Sequence, residues 1–176
     1  EIKQELSAHV PPARHCRLAE MAAILNFCSR VESVEGESPC VKMHTENLAV
    51  ARKYFTLLRK TFNIEMNVST RQSRNPRGSL SYEVTSFGGL EPVKHMLVQN
   101  QCCRRAYIRG AFLASGSLSD PEKGYHFEIV CSGEEKADEL REMLASFGID
   151  ARITLRKRSY VLYVKEGSQI ADLLNV

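Results

Sequence analysis

Small residues recur at every fourth position in residues 106–116, which read Ala106-Tyr107-Ile108-Arg109-Gly110-Ala111-Phe112-Leu113-Ala114-Ser115-Gly116. On a helix, Ala106, Gly110 and Ala114 would form one flat stripe. A glycine inside a helix costs about 1 kcal/mol relative to alanine, so a second backbone is expected to lie against Gly110. The stretch therefore predicts a closely packed pair of helices.

The second helix of that pair is predicted at residues 16–29, which read Cys-Arg-Leu-Ala-Glu-Met-Ala-Ala-Ile-Leu-Asn-Phe-Cys-Ser. When the two stretches are aligned, Ala19 lies opposite Ala106 and Ala23 lies opposite Gly110. Two similar helices with facing small residues predict a seam with pseudo-twofold symmetry. Because alanine is common in helices for its propensity alone, an ordinary pair of unrelated helices stays open at this point.

Composition limits the class of protein. The chain has 176 residues, 43% of them hydrophobic, which is enough for one large or two small domains with a buried core. We find no apolar run near the roughly 18 residues that a membrane-spanning helix needs, and no signal-peptide pattern. We therefore expect a cytoplasmic protein without membrane contacts. The net charge of +3 identifies no partner, so local clusters of charge must do so.

Six cysteines stand at positions 16, 28, 40, 102, 103 and 131. None of them forms a Cys-x-x-Cys pair, and no nearby histidine has zinc-finger spacing. This pattern favours reduced, mostly buried thiols over a metal site, and we expect neither a metal nor a cofactor.

The predicted elements occur in the same order in two halves of the chain. After a lead helix and linker over residues 1–15, the first repeat is assigned to residues 16–100 and the second to residues 101–176. Each repeat is predicted as helix, two strands, helix, two strands and short helix, with matching positions about 80 to 87 residues apart. The expected fold class is α+β, with two αββαββα pseudo-repeats whose antiparallel sheets are covered by helices on one side.

Local signals mark the ends of several helices. Thr45 is the predicted N-cap of the middle helix in the first repeat, and Ser132 with Glu135 predicts a capping box for its counterpart. Gly148 is predicted to end that second helix. Residues 89–99 are predicted to form the short helix that closes the first repeat.

The sheet face that the helices leave uncovered carries positive charge. Alternation in the strand near residue 150 turns Ile153 and Leu155 toward the helices and the intervening arginines outward. In the first repeat, Met66, Val68 and Thr70 are expected to face the helices. A set of arginines on the open face and its adjoining loop is expected to contact DNA phosphates: Arg71, Arg74, Arg77, Arg152, Arg156 and Arg158.

Further side chains modify the charge of this face. Lys42, His44, His126 and Lys165 are expected to add to it, and Glu83 and Glu128 to subtract from it. An ordinary charged sheet face is the alternative interpretation.

Two stretches resemble a known family. Cys102-Cys103-Arg104-Arg105-Ala106-Tyr107-Ile108-Arg109-Gly110-Ala111-Phe112-Leu113-Ala114-Ser115-Gly116-Ser117 resembles the amino-terminal domain of the WhiA family, and Lys3-Gln4-Glu5-Leu6 fits it as well. The repeated pattern of elements also resembles a monomeric LAGLIDADG homing endonuclease. The resemblance implies one pseudo-twofold, saddle-shaped domain over residues 1–176. It also implies a bacterial transcription regulator linked to sporulation and cell division, with a helix-turn-helix domain beyond Val176.

The resemblance also allows a test for nuclease chemistry. In the active endonucleases the next-to-last residue of each motif is acidic, and the two carboxylates hold divalent metal. Aligned on this chain, those positions are Cys28 and Ser115, neither of which is a ligand that Mg²⁺ favours. The nearest acids, Glu20, Glu32 and Asp120, lie a turn or more away in the sequence. We therefore expect no catalytic residues and no enzymatic activity.

Two classes of function follow from the resemblance. The first is association with duplex DNA, close to the nucleoid, through the sheet face and in support of the helix-turn-helix domain. Arg104, Arg105 and Arg109 are weaker DNA-binding candidates, since a motif on a helix can serve packing or docking instead. The alternative is a docking module for a sigma factor or accessory transcription regulator, favoured by exposed apolar residues such as Val130 and Val161. A metal-dependent homing endonuclease is the remaining alternative.

Overall fold

The computed structural model describes residues 2–32, 40–62, 66–72, 80–87, 90–119 and 126–176. The chain divides into two compact units, Glu1–Ala114 and Ser115–Val176. The first unit contains these elements in order: α1 (Ile2–Ala8), α2 (Arg14–Cys28), β1 (Ser29–Glu32), β2 (Cys40–Thr45), α3 (Leu48–Thr61), β3 (Met66–Gln72), β4 (Leu80–Phe87), α4 (Glu91–Lys94) and α5 (Gln101–Ser115), whose last residue begins the second unit.

The second unit continues with six elements. They are β5 (Gly116–Leu118), β6 (Phe127–Cys131), α6 (Glu134–Ala145), β7 (Arg152–Arg156), β8 (Ser159–Val164) and α7 (Gly167–Leu174). Each unit has one four-stranded antiparallel sheet, ordered β1-β2-β4-β3 in the first and β5-β6-β8-β7 in the second. The same strand order in both sheets agrees with the predicted α+β class and its repeated pattern. The pseudo-twofold relation and the repeat bounds at residues 16–100 and 101–176 stay predictions.

The core of the first unit lies between helices and the two inner strands. Met43 of β2 pairs with Val84 of β4, and both are buried together with Leu57 and Leu58 of α3. Alternating residues of an inner strand pack on the helices because successive side chains point to opposite faces. In the second unit, Ile129 and Leu162 are paired and buried in the same way, with Leu140 and Leu144 of α6.

The edge strands are less covered than alternation predicts. The register places Val68 on the face of Val84, yet 53% of its surface is exposed; Leu155 pairs with Tyr160 and is 62% exposed. The register therefore agrees with the predicted orientation of both residues toward the helices, although both side chains are largely exposed. The reason is that β3 and β7 lie at the ends of their sheets.

The helix ends differ from the predictions at two of three positions. Asn47, not Thr45, caps α3, and its Oδ1 accepts hydrogen bonds from the backbone N–H of Ala49 at 2.9 Å and of Val50 at 3.3 Å. Thr45 is instead the last residue of β2 and pairs with Tyr82. Extending the strand through Thr45 delays the start of the helix by two residues.

The predicted capping box of α6 does not form, because Gly133 takes the N-cap position and provides no side-chain bond. Gly148 does adopt the left-handed conformation, with φ of 77°, after the helix ends at Ala145. The backbone N–H of Ile149 then donates to the carbonyl of Leu144 at 3.2 Å, as in a glycine-terminated helix.

The short helix predicted over residues 89–99 is limited to Glu91–Lys94. The chain after it is irregular, and this path lets Met96 and Val98 pack against buried residues of α2 and α5. No helix in the described part of the chain is long and apolar enough to cross a membrane.

Candidate nucleic-acid surface and helix seam

The backbones of α2 and α5 meet at Gly110. A Cβ added to this glycine would lie 2.4 Å from the carbonyl oxygen of Glu20 and 2.9 Å from the Cβ of Ala23. One turn earlier, Ala19 and Ala106 are buried in a single cluster with Cys16 and Cys103, and this cluster forms the amino-terminal end of the seam. Ala114, the last residue of the small stripe, is half-buried and lines a cavity of about 1100 Å³ in the first unit.

A buried carboxylate lies beside the seam. Glu20 is fully buried on α2, and its Oε1 is 3.0 Å from Lys53 Nζ and 3.0 Å from Arg109 Nε. Lys53 also donates hydrogen bonds to the backbone carbonyls of Leu6 and His9. Burial lowers the pKa of Lys53, and the carboxylate of Glu20 opposes that shift. These contacts join α1, α2, α3 and α5.

This network assigns a packing role to Arg109, one of the weaker DNA-binding candidates. Sequence reasoning missed the partners of Glu20, although a charged residue inside the apolar run 18–25 was a usable signal. On the same helix, Arg104 is half-buried and Arg105 is exposed.

The two positions that the sequence alignment predicts to match catalytic acids, Cys28 and Ser115, hold hydrogen-bonded neutral groups. Cys28 Sγ donates to the carbonyl of Ile24 at 3.2 Å, and burial raises its thiol pKa to about 12. Ser115 Oγ donates to the carbonyl of Val130 at 2.8 Å within the second unit. Neither group supplies the anionic oxygen that a magnesium ion favours.

A lysine lies at the carboxyl end of α5. Lys3 Nζ donates to the carbonyl of Leu113 at 3.2 Å and lies 5.6 Å from the ring centroid of Phe112. Burial lowers the pKa of Lys3, and the nearby Cys28 opposes that shift. A cation in this place complements the negative end of the helix dipole.

Two of the acids considered from the sequence cannot be placed: Asp120 lies outside the described residues, as does the side chain of Glu32.

The three predicted DNA-contacting arginines of the second unit lie at its surface. Arg152 pairs with Tyr163, and Arg156 pairs with Ser159, so register and alternation place both arginines on one face of the sheet. Both are exposed. Arg158 is also exposed, but it lies in the turn between β7 and β8, where Lys157 adopts a φ of 60°, rather than on the predicted strand.

Glu128 reduces the charge of this face. Its Oε2 lies 3.3 Å from an Arg156 guanidinium nitrogen and 3.0 Å from His126 Nε2. Because the Arg156 side chain is 55% exposed, solvent weakens that ion pair. Within the described ranges, no salt bridge includes Arg152 or Arg158.

Tyr163 adds an aromatic ring to the same face, and sequence reasoning did not single it out. The ring of His126 stacks on it, with centroids 5.8 Å apart, and Lys165 Nζ lies 5.4 Å from its centroid.

The two valines predicted to be exposed on this face differ in exposure. Val130 is 41% exposed, but Val161 is only 3% exposed, so the expectation of an exposed Val161 is wrong. Val161 is covered because it has a paired residue on each side, Val130 of β6 and Thr154 of β7, whereas the pairing of β5 with β6 ends at Ile129, before Val130.

The corresponding face of the first unit is only partly described. His44 pairs with Glu83, and Lys42 pairs with Thr85, which places the basic residues and the acid on one face. Arg71 lies on β3 opposite Ser81, while its side chain, like Arg74 and Arg77, lies outside the described residues.

All six cysteines are free thiols, and three of them are buried, Cys16, Cys103 and Cys131. The structure nevertheless brings together four residues that could hold a metal ion, His15, Cys16, Cys102 and Cys103. Spacing along the chain did not predict this group, because its members come from two adjacent pairs that are far apart in the sequence.

Two family models match the chain, one over each half. A model described as the WhiA N-terminal LAGLIDADG-like domain matches residues 14–94, and one described as the WhiA LAGLIDADG-like domain matches residues 104–176. Among curated proteins, the chain is 47% identical to the probable cell division protein WhiA of Lachnoclostridium phytofermentans, covering 100% of this chain and 63% of that protein. It is 42% identical to the Alkaliphilus oremlandii protein of the same name, covering 99% and 62%. The chain thus spans less than two thirds of the length of these relatives.

Solved structures show the same fold. Full-length DUF199/WhiA from Thermatoga maritima superposes with a TM-score of 0.85 at 20% identity, covering 99% of this chain and 59% of that one. The homing endonuclease I-DmoI in complex with DNA and Mn superposes with a TM-score of 0.70 at 14% identity, covering 93% and 99%. The fold is therefore LAGLIDADG-like.

Proposed function

Because the chain belongs to the WhiA family, as a LAGLIDADG-like portion of it, we propose that it is a non-cleaving DNA-binding domain of a bacterial transcription regulator. In this role it contacts the phosphate backbone of duplex DNA and supports sequence recognition by a helix-turn-helix domain elsewhere in the protein. The cellular role is in cell division and sporulation, and the location is the cytoplasm, at the nucleoid.

The proposal is supported chiefly by the exposed basic face of the second unit. Arg152, Arg156 and Arg158 are all exposed, and the partly exposed Tyr163 ring lies between basic neighbours. Arginines that neutralise phosphates release counterions from DNA, which makes binding favourable and dependent on salt. A protein of similar fold, I-DmoI, has been solved in complex with DNA.

Glu128 on this face would compete with a DNA phosphate for Arg156. Arg156 must exchange the carboxylate of Glu128 for a phosphate, whereas Arg152 and Arg158 have no such partner among the described residues. Phosphate contacts position a protein on DNA without reading its sequence. We therefore assign backbone contacts, not base recognition, to these arginines.

Cleavage is excluded from the proposal on chemical grounds. Cys28 and Ser115, which the sequence alignment predicts to match the acidic positions of the endonuclease motif, both donate hydrogen bonds to backbone carbonyls as neutral groups. Lys3 adds a positive charge close to Cys28, which disfavours a divalent cation there. The proposed domain keeps the fold of the endonucleases without their metal ligands.

The experiment is fluorescence anisotropy with two duplexes of unrelated sequence. We expect the double variant Arg152→Ala, Arg158→Ala to bind both duplexes more weakly, by a similar factor. Arg141→Ala is the matched control, since this exposed arginine on α6 pairs with Asp138 of the same helix. Equal weakening by the control variant, or no binding by the unaltered chain near about 50 mM salt, would refute the proposal.

A protein-docking role is the second candidate. Val130 is 41% exposed on the basic face, and Leu155 is 62% exposed at the sheet edge. Exposed apolar side chains contribute to protein interfaces when they are desolvated. If the domain docks a sigma factor or an accessory regulator, Val130→Ser will weaken binding of that purified partner and leave the affinity for DNA unchanged.

A further inference from the structure

Four side chains with nitrogen or sulfur donors converge at the amino-terminal end of the helix seam. His15 and Cys16 lie in the first turn of α2, and Cys102 and Cys103 lie in the first turn of α5. Their donor atoms all lie within 4.8 Å of one another. His15 Nδ1 is 3.1 Å from Cys103 Sγ, 3.4 Å from Cys16 Sγ and 4.0 Å from Cys102 Sγ.

These distances are close to those of a four-coordinate metal site. With Zn–S and Zn–N bonds of about 2.3 Å and 2.0 Å, a tetrahedral ion places sulfur and nitrogen ligands about 3.5 Å apart and two sulfurs about 3.8 Å apart. The three nitrogen–sulfur distances, 3.1, 3.4 and 4.0 Å, lie on both sides of that value, and no two of the four donor atoms are more than 4.8 Å apart. Small side-chain movements therefore suffice to complete the geometry.

We propose that His15, Cys16, Cys102 and Cys103 bind one zinc ion, which joins the first turns of α2 and α5. Thiolate and imidazole ligands in a tetrahedral set favour zinc over magnesium, calcium or manganese. With all four positions taken by protein, the site has no place for a reacting water and is structural. It lies at the opposite ends of both helices from Cys28 and Ser115, so it is separate from the acidic site of the endonucleases.

The helices provide a favourable setting for the thiolates. All three cysteines lie within the first turn of a helix, where the positive end of the helix dipole stabilises negative charge. Binding would release three thiol protons to solvent and leave the site with a net charge of −1. The guanidinium of Arg109 acts electrostatically on Cys16 and partly compensates this charge.

The experiment measures zinc in the purified, reduced chain and then follows titration of the metal-free chain with Co²⁺. We expect one zinc per chain, a thiolate-to-Co²⁺ charge-transfer band in the near ultraviolet, and the intense visible bands of a tetrahedral site. His15→Ala and Cys102→Ser alter exposed positions and are expected to keep the fold, checked by circular dichroism, while losing these bands. Cys40→Ser, which alters a cysteine outside the cluster, is the matched control and should keep them.

A thermal measurement provides an independent result. Removal of zinc by a chelator should lower the Tm of the unaltered chain and of Cys40→Ser, but not that of Cys102→Ser. Weak octahedral Co²⁺ spectra in the unaltered chain would overturn the proposal. It would also be overturned if Cys40→Ser lost the bands as completely as Cys102→Ser.

Discussion

Replacing Gly110 by alanine would add a methyl group between two helix backbones. The new Cβ would lie 2.4 Å from the carbonyl oxygen of Glu20 and 2.9 Å from the Cβ of Ala23. A backbone oxygen cannot rotate away as the end of a flexible side chain can, so the helices must separate. Separation would also strain the contacts of Glu20 with Lys53 and Arg109, both 3.0 Å in length.

The magnitude follows from two opposing effects. Alanine is favoured over glycine inside a helix by about 1 kcal/mol, and overpacking a tight interface typically costs about 1–3 kcal/mol or more. Because the contact is far shorter than any normal carbon–oxygen approach, we expect overpacking to exceed the propensity gain. The expected net destabilisation of Gly110→Ala is about 1–2 kcal/mol.

Urea denaturation followed by circular dichroism measures this change, with Gly133→Ala as the control. A Cβ on Gly133 would meet no atom within 4 Å, and the weaker N-cap preference of alanine is opposed by the lower entropy of its unfolded chain, so the net effect should stay within about 0.5 kcal/mol. If Gly110→Ala were as stable as the unaltered chain, the close approach of α2 and α5 would be refuted.

Three further changes test other contacts. Glu20→Gln leaves the buried Lys53 ammonium without its counter-charge, so urea denaturation should show a loss of about 3–5 kcal/mol, and a loss below about 1 kcal/mol would contradict the network. Asn47→Ala removes the cap of α3 and should cost about 1 kcal/mol in the same assay, while Asn47→Asp should be close to neutral. Burial raises the pKa of Cys28 from 9.0 to about 12, so the unfolded chain loses this proton first and stability falls as pH rises between these values. The stability difference between the unaltered chain and Cys28→Ala should therefore shift against the unaltered chain by up to about 1.4 kcal/mol per pH unit above pH 9, and a constant difference would contradict this.

The seam and the sheet faces could be read from the sequence because their causes are local. Gly110 is the middle one of three small residues spaced four apart on α5, and this pattern indicates that another backbone lies close. Alternation in β7 correctly placed Arg152 and Arg156 on one face of the sheet. Alternation shows which face of a strand a residue lies on but not how far the helix layer extends over that face. The exposure of Val68 and Leu155 therefore could not be predicted from it. Thr45 and Asn47 are both good N-cap residues, and only pairing of Thr45 with β4 decides between them.

The residue groups inside the first unit could not be predicted for a different reason. Glu20 meets Lys53 and Arg109 only after three helices have packed together. The thiol cluster likewise joins His15 and Cys16 to a cysteine pair far along the chain. Spacing rules for metal sites search short stretches, so they cannot detect ligands that a tertiary contact assembles.

The proposed backbone binding is tested most directly by the salt dependence of DNA affinity for the unaltered chain and for Arg152→Ala, Arg158→Ala. Contact with five or six phosphates predicts a slope of log K against log salt near about −5 for the unaltered chain. Loss of two phosphate contacts should make the variant slope shallower by roughly 2. Identical slopes for the two proteins would contradict the assignment of these arginines to the DNA backbone.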